Sequence, residues 1–515
     1  MLLNINKLNI EELLKIQEYN NLDENNNESY FEELGVVLEV ADGIVTIEGL
    51  YNVAFGEMIE IIVPGSEPVV GIILNIESSK VSAVIFSSDI DIVPSYLVMR
   101  KYILMSVPTG ESLLGRIIDP LGNTLDDLGN IVNKGFRAIE QVAPSIISRV
   151  AVTTPLETGL KVVDSMVPIG HGQRELIIGD TKTGKTSIAI DAILNQKTED
   201  TICVYVAIGQ KRSSVVRIAK LLKNKECLNS TVIVAATASD SAAMQYIAPY
   251  SGCAIAEFFM NAGLRVLIIF DDLSKHAVSY RQLSLLLRRP PGREGYPGDV
   301  FFLHSRLLER SANLKKGGSI TALPIIETIQ GDVSAYVPTN VISITDGQIF
   351  LETELFSKGI RPAVSPGLSV SRVGSAAQNK VIKNMAGTLK LELAQFREVE
   401  GFTKSGLVLD DATKNLVDKG SKLTSLLVQK RYAPLPIFEQ ILLLYASLND
   451  FLKRVSSAHI NLFESEFLNF FRGSIYYYPV SRSLSLMKFP TVLVPFMLDK
   501  FVVQFMIYLN INYSN

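Results

Sequence analysis

The chain has 515 residues, of which 47% are hydrophobic and 20% charged, with a formal net charge of −4. That length is too great for one core and points to about three domains, while the acidic balance excludes the basic footprint of a nucleic-acid-binding protein. The three cysteines, Cys203, Cys227 and Cys253, lack metal-ligand spacing and cannot all pair, so core thiols in a reducing compartment are expected rather than a disulfide framework.

Residues 1–32 read as an N-terminal extension with one helix over Ile10–Tyr19 and an Asn- and Glu-rich run behind it. The extension has neither an apolar signal core nor the Arg-rich, acid-poor character of a transit peptide, so no cleaved presequence is expected. Residues 33–100 change to short apolar runs, GVVLEV, GIVTIEGL, GEMIEIIV, PVVGIILNI and KVSAVIF, separated by Gly, Asp, Asn or Pro. This pattern predicts a small antiparallel barrel or sandwich, read as a structural module.

Residues 101–387 alternate strand and helix patterns. Strands are predicted at Leu176–Ile178, Ile202–Ile208, Thr231–Ala236, Leu264–Phe270 and Ser319–Ile326, giving a mostly parallel sheet with ligands at its carboxyl ends. In residues 388–515 the strands vanish, and KLELAQFREVEGF, ATKNLVDKGSKLTSLLV and IFEQILLLYASLNDFLKRV predict amphipathic helices. After about residue 471 the text fits neither a helix bundle nor a membrane span; its most apolar stretch, 491–509, is broken by Pro495 and by Asp499-Lys500.

The chemistry centres on RELIIGDTKTGKTSIAIDAILN, residues 174–195. Gly179, Asp180, Thr181, Lys182, Thr183, Gly184, Lys185 and Thr186 fit the G-x-x-x-x-G-K-[ST] phosphate loop between an apolar strand and an apolar-faced helix. The glycines let backbone N–H groups turn inward, and the helix presents its positive end to an anion. Lys185 is placed for the β- and γ-phosphates and Thr186 for Mg²⁺. Asp271 follows the apolar run VLIIF, where a carboxylate holds Mg²⁺ through water; Asp271-Asp272 also stand where a helix cap would.

Four segments, GDTKTGKTS, YVAIGQKRSS, IIFDDLSKHAVSYRQLSLLLRRPPGREGYPGDVFFLHSRLLERSA and ELFSKGIRPAVSPGLSVSRVGSAAQ, together resemble the alpha subunit of the F-type ATP synthase, mitochondrial type. The resemblance runs from about Glu33 to about Phe470. It implies a multi-domain α/β fold: an N-terminal β-barrel crown, a central RecA-like P-loop domain and a C-terminal helical domain. It also implies ATP or ADP with Mg²⁺ as ligands. The implied partners are beta subunits in an alternating hetero-hexamer, central and peripheral stalk subunits and a membrane proton-conducting sector.

Residue by residue, the resemblance makes Gln210 the amide that replaces the catalytic glutamate of beta, with a plain structural amide as the alternative. It makes Arg372 an arginine finger for the neighbouring beta site, against an ordinary surface ion pair. Arg361-Pro362 and Gln429 match adenine-facing positions. Arg431 stands where a second glutamine is usual, and Thr181-Lys182 replace the usual Arg-Gln of the loop. The expectation is a regulatory, non-catalytic subunit, peripheral on the matrix side of the mitochondrial inner membrane, with a bacterial or plastid coupling membrane as the alternative. The competing function is a self-sufficient hexameric P-loop ATPase, such as an RNA translocase or secretion motor, which would need a carboxylate in place of Gln210.

Overall fold

The computed structural model describes residues 34–474 apart from 88, 133–134, 199–200, 404–409, 450 and 457–458, and beyond 474 only Tyr477, Phe501, Gln504 and Phe505. The helix expected at Ile10–Tyr19 therefore lies outside the described residues. The chain divides into two compact units, the first running to Met105 and including Leu286–Arg288.

The first unit is a closed six-stranded barrel. Its strands are β1 (Leu34–Ala41), β2 (Ile44–Glu48), β3 (Glu57–Ile61), β4 (Val69–Ile76), β5 (Val81–Ile85) and β6 (Leu97–Leu104), in the order β1-β2-β5-β4-β3-β6. Alternate side chains such as Val45, Ile47, Ile59, Ile61, Ile73, Ala83 and Ile85 turn inward and fill it. The strand β6, LVMRKYIL, is absent from the sequence reading because Arg100 and Lys101 interrupt its apolar run. The charges are accommodated locally: Arg100 makes a two-pronged pair with Glu57 at 2.8 and 3.0 Å, and Lys101 pairs with Glu60 at 2.8 Å. With β6 in place the sheet closes, Leu34 opposite Met99 and Val36 opposite Leu97.

The second unit is built on an eight-stranded sheet. Its strands are β7 (Ile117–Ile118), β8 (Leu176–Asp180), β9 (Thr201–Gln210), β10 (Thr231–Thr237), β11 (Arg265–Asp271), β12 (Ser319–Thr328), β13 (Gly347–Leu351) and β14 (Val370–Ser371), in the order β14-β13-β8-β12-β11-β9-β10-β7. Every pairing is parallel except β13 with β14. The middle strands are apolar without alternation because both faces are covered, as parallel sheets require. Helices α1 (Lys185–Asn195), α2 (Arg212–Asn224), α3 (Ala242–Asn261) and α4 (Leu273–Leu286) belong to this layer. The strands β9, β11 and β12 run past their predicted ends to Gln210, Asp271 and Thr328, so polar residues finish apolar strands on the side where α1 begins.

Among the described residues four helices follow: α5 (Lys380–Thr403), α6 (Asp411–Leu427), α7 (Ile437–Leu448) and α8 (Ile460–Arg472). The predicted third helix is corrected here, since α7 stops at Leu448 and Phe451–Arg454 form a separate 3₁₀ turn. The reading of the tail needs a correction as well. Phe501 and Phe505 are fully buried against α8, with ring centroids 5.3 and 4.8 Å from Phe467, so at these positions the tail belongs to the helical core. Among the described residues no helix is long and apolar enough to cross a membrane. The helices are tied by polar contacts to a short helix before β8, Lys161–Met166. Lys161 reaches Glu464 of α8 at 2.8 and 2.9 Å, and Gln440 of α7 donates to Asp164 at 2.8 Å. All three cysteines are buried and free.

Candidate nucleotide-binding site

The strand β8 runs straight into the loop and then α1. At Gly179 an added Cβ would lie 2.7 Å from the Leu351 carbonyl oxygen, so only glycine lets the loop leave between β8 and β13. Gly184 has φ +104°, a left-handed conformation that a side chain would strain. No side chain caps the helix that starts at Lys185, which leaves its first N–H groups and its positive dipole end to an anion.

Asp180 braces the loop from below. It accepts hydrogen bonds from Thr328 Oγ1 and the Gly331 N–H at 2.7 Å each and from Thr353 Oγ1 at 2.9 Å. Burial opposes its charge, but these donors and Lys185 hold its carboxyl below the ordinary range. Thr183 donates to the Asp180 carbonyl at 2.7 Å, while Thr181 and Lys182 form the exposed crest, Lys182 with φ +63°.

Lys185 is buried and folds over its own loop, donating to the carbonyls of Gly179 at 2.8 Å and Asp180 at 2.6 Å. Burial pulls its pKa down, and Glu327 at 3.6 Å, with Asp272 and Asp271 beyond, pulls it back. Beside it Asp271 is the hub: Oδ2 accepts from Thr186 Oγ1 at 2.8 Å and from Tyr205 OH at 2.7 Å, and Oδ1 accepts from Gln210 Nε2 at 3.1 Å. Burial raises the Asp271 pKa, and the bonds from Tyr205 and Thr186 counter part of the rise. The cap role falls to Asp272. Asp272 takes the Lys275 N–H at 2.8 Å and caps α4, while Asp271 faces the loop. Burial pushes the Asp272 carboxyl up to about 6.

The structure thus brings Gly179 through Thr186, Gln210 and Asp271 into one cluster at the carboxyl ends of β8, β9 and β11. Tyr205 and Glu327 belong to it too. Both were missed: Tyr205 is the one polar tip in the run ICVYVAI, and Glu327 ends an apolar strand much as Asp271 does.

A second group adjoins the loop. Phe356 lies next to Gly184, the Arg361 guanidinium stacks 4.2 Å above the Phe356 ring, and the Gln429 N–H donates to the Arg361 carbonyl at 2.8 Å. Pro362 follows Arg361 through a cis peptide bond. The Gln429 side chain is spent on main chain: Oε1 accepts from the Lys161 N–H at 3.0 Å, and Nε2 donates to the carbonyls of Gly159 and Ala433 at 2.8 Å each. Arg431 is exposed and sits 5.2 Å over Tyr432.

Arg372 is elsewhere. It is exposed just after β14, and its N–H donates to the carbonyl of Asp346, the residue before β13. Gly347 opposes Ser371 and Gln348 opposes Leu176, which puts Arg372 at the amino ends of β8 and β13, the far end from the phosphate loop. Five strand steps, from the level of Arg174 to Gly179, separate the two, on the order of 17 Å.

Taken together, the apolar parallel strands, the left-handed glycine, the uncapped helix with a lysine at its first position and the Thr186–Asp271 pair form a cradle for a nucleoside polyphosphate. The ATP synthase alpha/beta family, nucleotide-binding domain, matches residues 159–371. The ATP synthase alpha/beta chain, C terminal domain, matches residues 378–478. These matches take in the whole phosphate loop, the Asp271 hub and the four C-terminal helices, more than half of the sequence, and with the barrel before them they reproduce that family's three-part architecture. The chain belongs to the ATP synthase alpha/beta family.

Proposed function

We propose that the chain is the non-catalytic, alpha-type member of a proton-driven rotary ATP synthase. It binds ATP or ADP with Mg²⁺ at its own loop and lends Arg372 to the catalytic site of an adjacent beta-type subunit. Gln210 carries this reading. The amide stands at the end of β9 beside Asp271, where a water-activating carboxylate would be needed, and an amide has no basic site for a proton at neutral pH. Its Nε2 is directed to Asp271, which holds the amide as a donor rather than a base.

The donor set at the loop fits a magnesium nucleotide. Among the described residues no cluster of three or more His, Cys, Asp or Glu side chains could hold a metal alone. The Thr186 hydroxyl and the Asp271 carboxylate are hard oxygen donors of the kind that hold Mg²⁺ jointly with phosphate oxygens. When bound, the ion supplies neutralisation of phosphate charge. Lys185 and the amino end of α1 bind the phosphates, Asp180 fixes the loop, and Phe356 with Arg361 offers a flat surface beside it.

The position of Arg372 supports donation outward. It is exposed and stands at the strand ends opposite this chain's own loop. An arginine given in trans to a transferring phosphoryl group is worth roughly 10³–10⁵ in rate. The partners in this reading are beta-type subunits alternating in a hetero-hexamer, the central and peripheral stalks and the membrane proton-conducting sector, on the matrix side of the mitochondrial inner membrane. Measuring ATP turnover by the purified chain alone tests it. Nucleotide binding without sustained hydrolysis is expected; steady hydrolysis without a partner would refute the reading and favour a self-sufficient hexameric motor.

A further inference from the structure

Beneath Arg372 lies a buried polar network that nucleotide binding at the loop does not use. Gln173 and Glu175 are both fully buried, just before β8. Gln173 Nε2 donates in two directions, to Glu175 Oε2 at 2.6 Å and to Ser371 Oγ at 3.1 Å. Its Oε1 is fixed by the Gly170 N–H at 2.8 Å, so the amide cannot flip. Ser371 Oγ in turn donates to the Pro168 carbonyl at 2.8 Å and accepts from the Gly374 N–H at 3.1 Å. The residue next to Arg372 is thereby gripped from both sides, and Arg372 itself is pinned by its N–H to the Asp346 carbonyl at 2.7 Å.

Glu175 closes this network against the main chain. A Cβ on Gly347 would come 2.5 Å from Glu175 Oε2 and 2.3 Å from the Val370 carbonyl, so β13 must carry glycine where β14 and the Glu175 carboxyl both press on it. Glu175 Oε1 makes no hydrogen bond among the described residues. A carboxyl this deep with one oxygen unpaired is costly unless it is neutral or opposes a cation. We infer that Glu175 is a positioning residue for Arg372, acting through Gln173 and Ser371 to fix the strand end that presents the guanidinium.

The charge state fits that role. Burial raises the Glu175 pKa well above the ordinary carboxylate range, and neighbouring Asp346 adds to the rise, while Gln173 and Arg372 oppose it. Arg174 takes up Asp346 in a two-pronged pair at 2.9 and 3.0 Å. A neutral Glu175 keeps its hydrogen bond to Gln173 without neutralising Arg372, whose positive charge stays available to an anion across the subunit boundary. An ionised one would draw the guanidinium back. The requirement is for the shape and acceptor of a carboxyl, not for its charge.

The inference rests on Arg372 acting in trans, and its test separates the two ideas. In the assembled enzyme, Glu175→Gln keeps size, neutrality and an acceptor for Gln173, and multisite turnover within about threefold of the parent is expected. Glu175→Met keeps the volume and removes the acceptor, and a loss of at least about tenfold in kcat is expected, in line with the cost of misplacing a transition-state group. Equilibrium binding of MgATP to the variant chain's own loop should not change, a readout that a general loss of structure would move. Adding Arg372→Ala to Glu175→Met should cost far less than Arg372→Ala alone, because both remove one interaction. Normal turnover by Glu175→Met while Arg372→Ala is crippled would overturn the inference and leave the finger standing. So would a Glu175→Gln variant that assembles yet is as slow as Glu175→Met. Normal turnover by Arg372→Ala would remove the finger itself and this inference with it. If Glu175→Met does not assemble, Ser371→Ala carries the test from the far end of the network: a loss in kcat is expected, and parent-like turnover would overturn the inference.

Discussion

Glu464→Gln leaves the ammonium of Lys161, completely buried, without its anion. The pair meets at 2.8 and 2.9 Å and ties the start of the nucleotide-binding domain to α8. At an effective dielectric of 20, charges 2.8 Å apart attract by about 6 kcal/mol, against which stands the cost of drying both ions. Burial lowers the Lys161 pKa and Glu464 raises it again, so without Glu464 the first effect acts alone. Breaking a buried pair costs about 3–5 kcal/mol, and the low end applies because Glu464 is 18% exposed and water can enter beside it. Lys161→Met with Glu464→Leu should restore most of this, since an apolar pair of similar volume replaces the ions at little net cost. Guanidinium unfolding of the purified chain, as a double-mutant cycle, measures the coupling. The sign with pH is fixed as well. A depressed ammonium pKa penalises the fold fully below that pKa, and the penalty fades as pH rises toward the unfolded value of about 10.4. The Glu464→Gln deficit should therefore shrink near pH 10. A single variant no worse than the double one, or a deficit unchanged with pH, would refute this account.

Lys185→Ala should weaken equilibrium binding of MgATP by at least about tenfold, the loss of one charge-assisted contact, and unaltered affinity would count against the cradle. Gly184→Ala, forced to φ +104°, should cost about 1–2 kcal/mol in thermal stability and also lower nucleotide affinity; a parent-like melt would show that the loop relaxes freely. Asp272→Asn keeps the cap on α4 but removes a carboxyl held at about 6. A raised acid pKa means stability falls as pH climbs from the unfolded value to the folded one, so the variant should gain about 3 kcal/mol above pH 6 and little below pH 4. Melts at pH 5 and 7.5 showing equal gains would exclude that cause.

The parts of the fold that were legible in the sequence are those where one residue type has one physical use. Continuous apolar runs announced the central parallel strands, and the glycine spacing with Lys185 and Thr186 announced the loop. What escaped depends on partners far along the chain. The strand β6 carries charges mid-run, and only Glu57 and Glu60 on a different strand make them tolerable. Tyr205 looks like core until the fold sets Asp271 2.7 Å from its hydroxyl. The Gln173–Glu175–Ser371 chain joins residues about two hundred positions apart, and no local pattern marks it. The tail misled for the opposite reason: an unfamiliar text still supplies two phenylalanines of the right size for the hollow beside Phe467.

The pairing of the first barrel strand with the last, Leu34 beside Met99, has a consequence for how the barrel meets other proteins. Where the two strands pair, residues 34–36 with 97–99, the seam offers no free N–H and C=O groups for a foreign ribbon to zip onto. Whatever docks there must do so through side chains alone. Recognition along that seam is thereby a matter of surface shape and charge, both of which change one residue at a time without unstitching the cylinder.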